Sequence, residues 1–265
     1  MDGSLAREVA RRARAASVVA GAVLLVACGG GGGEMEAAES GAVDEPETPG
    51  QEAPNTLTDA ERAAGWELLF DGETLDGWRG YNEASGPPEG WAAIDGTLQR
   101  TGPGGDIVTD RTFTDFELAL EWRLEEGGNS GIFYRAAEGE EWIYHSAPEM
   151  QVLDDERHPD GRSPLTSAGA NYGLDPAPRG VVRPVREWNS VRIVVRGNEV
   201  EHWMNGQRVV AYVLGSPEWE EKVAASKFVE WPAYGRAASG HIGLQDHGDP
   251  VWYRNIKIRE LGGGG

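Results

Sequence analysis

The sequence has 265 residues, a net charge of −20, a single cysteine and ten tryptophans. A surface this acidic repels phosphate backbones, which excludes nucleic acid as the expected partner and leaves neutral sugars or cations. One cysteine excludes an internal disulfide, and with its 38 glycines counted as apolar the composition is that of an ordinary globular protein.

The first 27 residues have the features of an export signal. Arginines at 7, 11, 12 and 14 precede an uncharged run of small and apolar residues from 15 to 27. This run suits the hydrophobic region of a signal peptide and is too short to span a bilayer. It ends in Leu-Val-Ala-Cys at Cys28, which resembles the bacterial lipobox, where the cysteine is lipidated and becomes the mature N-terminus.

The lipobox implies a lipoprotein of the cell envelope, held on a membrane by its acyl chains. Gly29 follows the cysteine where inner-membrane lipoproteins often carry Asp, so the outer membrane is the expected location. The alternatives are a plain signal peptide with an unrelated cysteine and an uncleaved anchor helix. The sequence leaves the oligomeric state open.

The next segment, residues 28–62, carries nine acidic residues and one arginine, with no apolar periodicity. Its Gly, Pro and Glu content predicts a flexible, self-repelling and disordered tether. Coherent patterning then runs over residues 63–261, a length that suits one domain. The glycines at 262–265 predict a disordered tail.

A period of two dominates that domain and predicts strands. Residues 116–124 alternate most cleanly, with Phe, Leu, Leu, Trp and Leu on one face. Asp95-Gly96 and Asn205-Gly206 predict tight type I′ hairpin turns. Only Pro217 to about Lys227 reads as a helix, with Ser216 as its N-cap. The expected strands are 66–70, the hairpin 91–100, 116–124, 130–135, 149–153, 190–196, 200–204, 208–212, 241–245 and 252–259.

Many short strands with Gly, Asp and Asn turns favour a sandwich or jelly roll. Several motifs occur in order along these strands and cover about residues 66–261. They are LFDGETLDGW at 69–78, NSGIFYR at 129–135, EMQVLD at 149–154, EWNSVR at 187–192, HWMNG at 202–206, GLQDHG at 243–248 and VWYRNIKI at 251–258.

Together these motifs resemble the DUF1080 family, the 3-keto-disaccharide hydrolase domain. The resemblance implies an all-β fold, a concanavalin A-like jelly-roll sandwich, here with one short helix. It also implies a carbohydrate substrate, namely a glycoside whose sugar carries a ketone at C3. Fold transfers between relatives more securely than activity does.

A C3 ketone makes the neighbouring C2 proton acidic, so a base can remove it and the enolate can expel the C1 substituent. Such chemistry needs a base, an acid for the leaving oxygen and a positive group near the enolate. A divalent metal ion is one candidate for that positive group, and its identity stays open. The acidic stretch 154–158 is a weak candidate because no zinc-type ligand spacing is present.

Alternation along 149–153 places Glu149 and Gln151 on one face and Met150 and Val152 on the other. Met150 and Val152 suit the core, so Glu149 and Gln151 should face either a sugar-binding groove or plain solvent. Glu149 is the expected catalytic acid or base. His202 and Asp154 are expected helpers, although His202 also suits a hydrogen-bonded core position.

Other polar residues are candidates for binding the substrate. Asn129 and Arg135 share a face of the neighbouring strand, where Arg135 either pairs with Glu149, binds a substrate oxygen or forms a structural ion pair. Glu121 is either a second carboxylate or an outward surface residue. The remaining candidates lie in a loop or where a strand ends at a turn, which is where binding residues concentrate; they are Tyr172, Gln245 and His247.

Three functions remain in competition at this stage. The first is a hydrolase of 3-keto-glycosides in the cell envelope. The second is a carbohydrate-binding module without catalysis on a lipid tether. The third is an ordinary glycosidase with two carboxylates, Glu149 and Glu121, which requires both carboxyl groups to face one groove.

Overall fold

The computed structural model describes residues 53–86 and 89–262. The predicted signal peptide, Cys28 and most of the tether lie outside these ranges, as do residues 263–265 of the tail. No helix within the two ranges is long and apolar enough to cross a membrane.

The described residues form thirteen strands and two α-helices. In chain order the strands are β1 (Glu67–Leu68), β2 (Trp78–Gly80), β3 (Trp91–Ile94), β4 (Thr97–Arg100), β5 (Ile107–Thr109), β6 (Phe116–Leu124), β7 (Asn129–Ala136), β8 (Glu149–Leu153), β9 (Asn189–Arg196), β10 (Glu199–Met204), β11 (Gln207–Val213), β12 (His241–Leu244) and β13 (Val251–Glu260). The helices are α1 (Asp59–Ala63) and α2 (Pro217–Ala224).

These strands make two antiparallel sheets packed as a sandwich. The larger sheet has the order β11-β10-β9-β6-β13-β4-β3, with β1 paired to β13. The smaller sheet has the order β2-β5-β12-β7-β8. The mostly-β jelly-roll sandwich expected from the sequence is confirmed.

Alternating apolar residues of both sheets fill the space between them. On β6 the five residues of the predicted face are at most 2% exposed, which confirms the alternation. Met150 and Val152 of β8 belong to the same buried cluster, so the core-facing side of that strand is confirmed too. Removal of this apolar surface from water is the main favourable term in folding.

Both predicted hairpin turns are confirmed by their backbone angles. Asp95 and Gly96 have φ values of 49° and 71°, and Asn205 and Gly206 have 49° and 81°. A type I′ turn needs positive φ at both central residues, which Asn, Asp and Gly tolerate. These turns join β3 to β4 and β10 to β11.

The predicted helix begins where expected and ends early. The Ser216 side chain accepts a hydrogen bond from the Trp219 amide at 3.2 Å, as an N-cap does. Helix α2 ends at Ala224, and a separate 3₁₀ turn begins at Lys227. The expectation of one helix is wrong, because α1 precedes the sheets with a capping box between Thr58 and Glu61.

The ordered domain begins earlier than its apolar pattern predicts. Asn55 and Asn255 exchange two hydrogen bonds, in which each backbone N–H donates to the partner's Oδ1, at 2.6 and 2.8 Å. The Asn55 amide also donates to the Gly96 carbonyl at 2.7 Å. Residues 55–62 therefore belong to the folded unit, which corrects the tether boundary at residue 62.

Candidate functional site

The smaller sheet carries a row of polar positions on the face that points away from the core. The strands β5, β12, β7 and β8 lie side by side. Their register brings Asp106, Gln245, Gly131 and Gln151 to one level across the sheet, with the Gln245 amide donating to the Gly131 carbonyl at 3.0 Å. We call these four positions, with the Glu149 side chain described next, the polar row.

Gly131 leaves the gap in this row that Glu149 fills. A Cβ atom at position 131 would lie 2.1 Å from Glu149 Oε1, so the Glu149 carboxyl lies directly over the glycine. The Gln151 side-chain amide is oriented so that both its oxygen and its nitrogen have hydrogen-bond partners. In this orientation its nitrogen donates to Glu149 Oε1 at 3.2 Å and to the Ser130 carbonyl at 3.0 Å. The carboxyl is thereby fixed between its neighbours in the row.

Glu149 and Gln151 are more buried than a solvent-facing strand face would be. Their exposed fractions are 6% and 1%. Burial raises the pKa of Glu149 to about 8, against the lowering effect of the Lys227 ammonium and with smaller raising effects from Asp106 and Asp160. The Glu149 carboxyl therefore carries its proton at neutral pH.

Asp106 is the second carboxyl of the row, and the sequence patterning did not single it out. It follows Gly104-Gly105 and immediately precedes the short strand β5. Its Oδ1 accepts a hydrogen bond from the Asp246 amide at 2.8 Å. Burial raises the pKa of Asp106 to about 7, and the Asp246 charge adds to the increase. Carboxyls with raised pKa values in one site are a recurrent sign of acid–base catalysis.

One cavity opens at the row, and a second lies beside the edge strand β8, where the Tyr172 backbone N–H donates to the Glu149 carbonyl at 3.0 Å. The first, of about 380 Å³, is lined by Asp106, Gln245, His247, Trp142 and Tyr144 among others. The second, of about 440 Å³, is lined by Thr166, Tyr172, Lys227 and Phe228 among others. Lined by aromatic and polar side chains together, they have the composition that sugar rings require.

Two buried oxygens beside the row lack a hydrogen-bond partner within the described part of the chain. They are Asn129 Oδ1 and Gln245 Oε1. Asn129 Nδ2 lies 3.4 Å from His158 Nε2, and its backbone N–H donates to Asp249 Oδ2 at 3.2 Å. A buried acceptor without a donor is unfavourable, so donors from a ligand, such as sugar hydroxyls, would stabilise both oxygens.

Histidine and tyrosine side chains border the row. His247 contacts His158 edge to face, with ring centroids 5.9 Å apart, and lines the smaller cavity. The Tyr172 hydroxyl donates to Asp160 Oδ2 at 3.3 Å, and its ring lines the larger one. Burial raises the pKa of Tyr172 to about 12. Of the sequence candidates, Glu149, Gln151, Asn129, Tyr172, Gln245 and His247 therefore lie at or beside the row.

Arg135 does not join them. A bulge in the pairing of β7 with β12 and a φ of 50° at Arg135 break the alternation that would have put it on the Glu149 face. Its guanidinium donates instead to the carbonyls of Thr114 and Gly197, both at distances below 3 Å. Arg135 is a structural residue that ties two loops to the sheet.

His202 lies in the core between the sheets, which corrects its expected role as a helper. Its Nε2 is 2.8 Å from the Tyr134 hydroxyl and its Nδ1 is 3.1 Å from the Gly169 carbonyl. Burial lowers the pKa of His202 to about 4, so the imidazole is neutral. Both ring nitrogens of His202 have a hydrogen-bond partner, which offsets the cost of burying them.

Asp154 and Glu121 also fall outside the site. Asp154 accepts hydrogen bonds from the backbone of Gly127 at 2.7 Å and Glu156 at 3.1 Å, so it closes a turn after β8. Glu121 lies on the outer face of the larger sheet and pairs with Arg254 at 2.6 Å. The Glu149 and Glu121 carboxyls thus face opposite sides of the sandwich, and a two-carboxylate site built from them is wrong.

A larger cavity, of about 770 Å³, lies elsewhere, at the edge strand β11 and helix α2. The lysine in its wall, Lys222, bonds to Asp175 at 2.7 Å and to Glu218 at 2.6 Å. This cavity shares Lys222 with the cavity of about 440 Å³ and contains none of the polar row, whose two carboxyls have raised pKa values, so the row is the better candidate. Within the described residues no three His, Cys, Asp or Glu side chains converge as metal ligands.

Comparison with known proteins agrees with this fold. A model of the 3-keto-alpha-glucoside-1,2-lyase-like domain matches residues 65–259. A 3-keto-disaccharide hydrolase from Bacteroides thetaiotaomicron is 38% identical over 231 residues, which are 75% of this chain and 79% of that protein. The residues that the family model matches include all seven motifs of the predicted domain, which lie between 69 and 258.

Two crystal structures from Parabacteroides distasonis, assigned provisionally by name to the glycosyl hydrolases, are also similar. The first has a TM-score of 0.72 and 32% identity, and the alignment covers 79% of this chain and 100% of that one. The second has a TM-score of 0.59 and 33% identity, with 74% and 99% covered. The family resemblance noted in the sequence is therefore confirmed.

Proposed function

Because this chain belongs to the 3-keto-alpha-glucoside-1,2-lyase-like family, we propose that it is a hydrolase that cleaves the glycosidic bond of 3-keto-glycosides, 3-keto-disaccharides among them. The observation that carries the proposal is the pair of carboxyls in the polar row, Asp106 and Glu149. Their pKa values of about 7 and about 8 make one a base and the other an acid near neutral pH.

In the first step the ionised Asp106 takes the proton from C2. The two electrons of the C2–H bond form a C2–C3 double bond, and the carbonyl π electrons move onto the C3 oxygen. The product of this step is an enolate. Asp106 suits the task because a base with a pKa near the operating pH is both ionised and reasonably basic.

In the second step the enolate re-forms the C3 ketone and a C1–C2 double bond, which expels the C1 oxygen. Glu149 gives its proton to that leaving oxygen, so the departing sugar or alcohol is neutral. The pKa of about 8 keeps this proton on Glu149 in the resting enzyme. The Gln151 amide, which donates to Oε1, leaves the other carboxyl oxygen for the proton.

In the third step water adds to C1 of the resulting enone, and a proton returns to C2. Glu149, now ionised, accepts a proton from the attacking water, and Asp106 returns the proton that it removed. The net reaction consumes one water and releases a 3-keto sugar and the leaving alcohol. Both carboxyls end in the protonation states in which they began.

The test compares a 3-keto-disaccharide, such as 3-keto-trehalose, with the unoxidised disaccharide. The expected result is release of the 3-keto monosaccharide from the first and no cleavage of the second. Equal cleavage of both would indicate an ordinary glycosidase, because the C2 proton of an unoxidised sugar is not acidic. Binding of the 3-keto sugar without turnover would indicate a binding module, which the unpartnered Asn129 and Gln245 oxygens also suit.

We also propose that the protein works in the bacterial cell envelope as a lipoprotein modified at Cys28. The support is the basic, apolar and lipobox-like order of residues 7–28. Expression in a bacterial host with a radiolabelled fatty acid should give a labelled protein in the membrane fraction. The Cys28→Ser variant should lack the label, and label retained in that variant would contradict the proposal.

A further inference from the structure

Lys227 differs from the other two lysines in that no carboxylate of the described residues pairs with it. The sequence has three lysines, at 222, 227 and 257. Lys222 bonds to Asp175 and Glu218, and Lys257 bonds to Glu61. Among the residues that the structure describes, Lys227 makes no ion pair, although the chain carries a net charge of −20.

Three aromatic rings surround the Lys227 ammonium in place of a carboxylate. Its Nζ lies 4.6 Å from the ring centroid of Tyr172 and 5.2 Å from those of Tyr144 and Phe228. Ring faces attract a cation without neutralising its charge. We call this arrangement the aromatic cage, and it leaves the positive charge available to a ligand.

The cage is held in place by its own packing. The Phe228 ring stacks on Tyr234 with centroids 3.9 Å apart. The Tyr144 ring contacts Trp231 edge to face at 5.4 Å. Lys227 itself begins a 3₁₀ turn that the Ser226 side chain caps. A positioned cation costs less reorganisation at the moment of reaction than a freely moving one.

The caged ammonium lies near the walls of both cavities beside the polar row. Lys227, Tyr172 and Phe228 line the cavity of about 440 Å³. Tyr144, whose ring centroid is 5.2 Å from the ammonium, lines the cavity of about 380 Å³ that Asp106 also lines. A ligand that contacts the Tyr144 and Tyr172 rings together would therefore lie within reach of the Lys227 Nζ.

We propose that the Lys227 ammonium binds the C3 oxygen of the substrate and stabilises the negative charge that develops there when C2 is deprotonated. This inference rests on the proposed function, which requires a cation at that oxygen. Hydrogen bonds from an ammonium to an oxyanion are short and roughly twice as strong as neutral ones. The ammonium keeps its protons throughout and releases the oxygen when the ketone re-forms.

The experiment isolates enolate formation from bond cleavage. The probe is a 3-keto sugar with two hydrogens at C1 and hence no leaving group, 1,5-anhydro-3-keto-glucitol. In heavy water the enzyme should exchange its C2 proton for deuterium, which proton NMR follows. Lys227→Met should slow this exchange by about 10²–10³-fold, the usual loss when one oxyanion donor is removed.

Three further measurements keep the test decisive. Lys227→Arg, which keeps the charge, should recover most of the exchange rate. Lys257→Met, which removes a lysine on the opposite side of the sandwich, should exchange at the wild-type rate. Thermal unfolding of each variant shows whether a loss comes from misfolding; if Lys227→Met is unfolded, the Lys227→Gln and Lys227→Arg pair decides.

Exchange by Lys227→Met at the wild-type rate would overturn the assignment of Lys227 and leave the hydrolase intact. Equal loss in Lys227→Met and Lys227→Arg, both folded, would also overturn it, because a role by charge requires rescue by arginine. Absence of both cleavage and exchange in the wild-type protein would instead overturn the proposed function itself. The two failures are therefore distinguishable.

Discussion

Glu149 and His202 are both almost fully buried, and both have pKa values far from the ordinary ones, yet only one of them lies at a site. The His202 ring is in the core, where each nitrogen has a partner. The Glu149 carboxyl lies on the outer face of the smaller sheet, beside cavities and two unpartnered oxygens. Burial and a shifted pKa therefore do not identify a functional group unless space and unpartnered polar atoms accompany them.

The largest expected difference between the two residues is in turnover. Glu149→Gln removes the proposed acid and should lower kcat on a 3-keto-disaccharide by about 10²–10⁴-fold, the usual contribution of general acid–base catalysis. Glu121→Gln is the matched control, because Glu121 pairs with Arg254 on the far sheet. Near-normal turnover in Glu149→Gln would remove the distinction between Glu149 and His202.

The second difference is in how stability depends on pH. The folded state raises the pKa of Glu149 from 4.5 to about 8, so its contribution is fully favourable below pH 4.5 and is lost as the pH rises through 8. Glu149→Gln lacks this loss. The free energy of unfolding of Glu149→Gln minus that of the wild type should therefore be about 3–5 kcal/mol larger at pH 9 than at pH 4, at about 1.4 kcal/mol per pKa unit.

Urea denaturation at both pH values measures this gain, since titrations elsewhere in the chain cancel between the two proteins. A pH-independent difference would show that the Glu149 carboxyl ionises normally. It would then have no proton to give at neutral pH, and its role as an acid would fail.

The third test concerns the glycine that makes room for the carboxyl. Gly131→Ala adds a methyl carbon only 2.1 Å from the present position of Glu149 Oε1. The two atoms cannot be that close, so the carboxyl must move. Turnover should fall by about 10²-fold, because a misplacement of about 1 Å at a reacting group has that effect. Gly102→Ala, where a Cβ meets nothing within 4 Å, is the control.

The smallest expected effect is that of His202. His202→Gln should lower the free energy of unfolding at pH 7 by about 1–3 kcal/mol, because it leaves buried groups without partners. Turnover should stay within about twofold of the wild type. A large loss of turnover in a folded variant would place His202 in the site and contradict the comparison.

The pH dependence of this variant has the opposite sign to that of Glu149→Gln. Burial lowers the pKa of His202 from 6.5 to about 4, so the wild type keeps this contribution above pH 6.5 and loses it as the pH falls through 4. The stability gap between the wild type and His202→Gln should therefore narrow between pH 6.5 and pH 4. Chemical denaturation at several acidic pH values measures the gap.

Alternation along the strands made most of the fold predictable, and of the site it made Glu149 and Gln151 predictable. On β8 it correctly separated Met150 and Val152 from Glu149 and Gln151, because successive side chains of a strand point to opposite faces. The same rule gave the core face of β6 and, with the Asp-Gly and Asn-Gly turns, two hairpins. It works wherever a strand is long enough to show a period.

The rest depended on features that have no period. Asp106 precedes a strand of three residues and follows a glycine pair, so nothing in the pattern assigns it a face. The bulge at Arg135 shifts the pairing of β7, and a rule of strict alternation fails at that residue. Lys227 reaches the cage from a 3₁₀ turn between helix α2 and β12, a contact that only the fold creates.

The double hydrogen bond between Asn55 and Asn255 sets where the preceding residues leave the domain. Asn255 lies on β13, and nearby Lys257 of the same strand bonds to Glu61 on the outer face of the larger sheet. The polar row lies on the outer face of the other sheet. A group attached directly before Asn55 would therefore lie on the larger-sheet side of the domain. The polar row would face the opposite side, away from that attachment point.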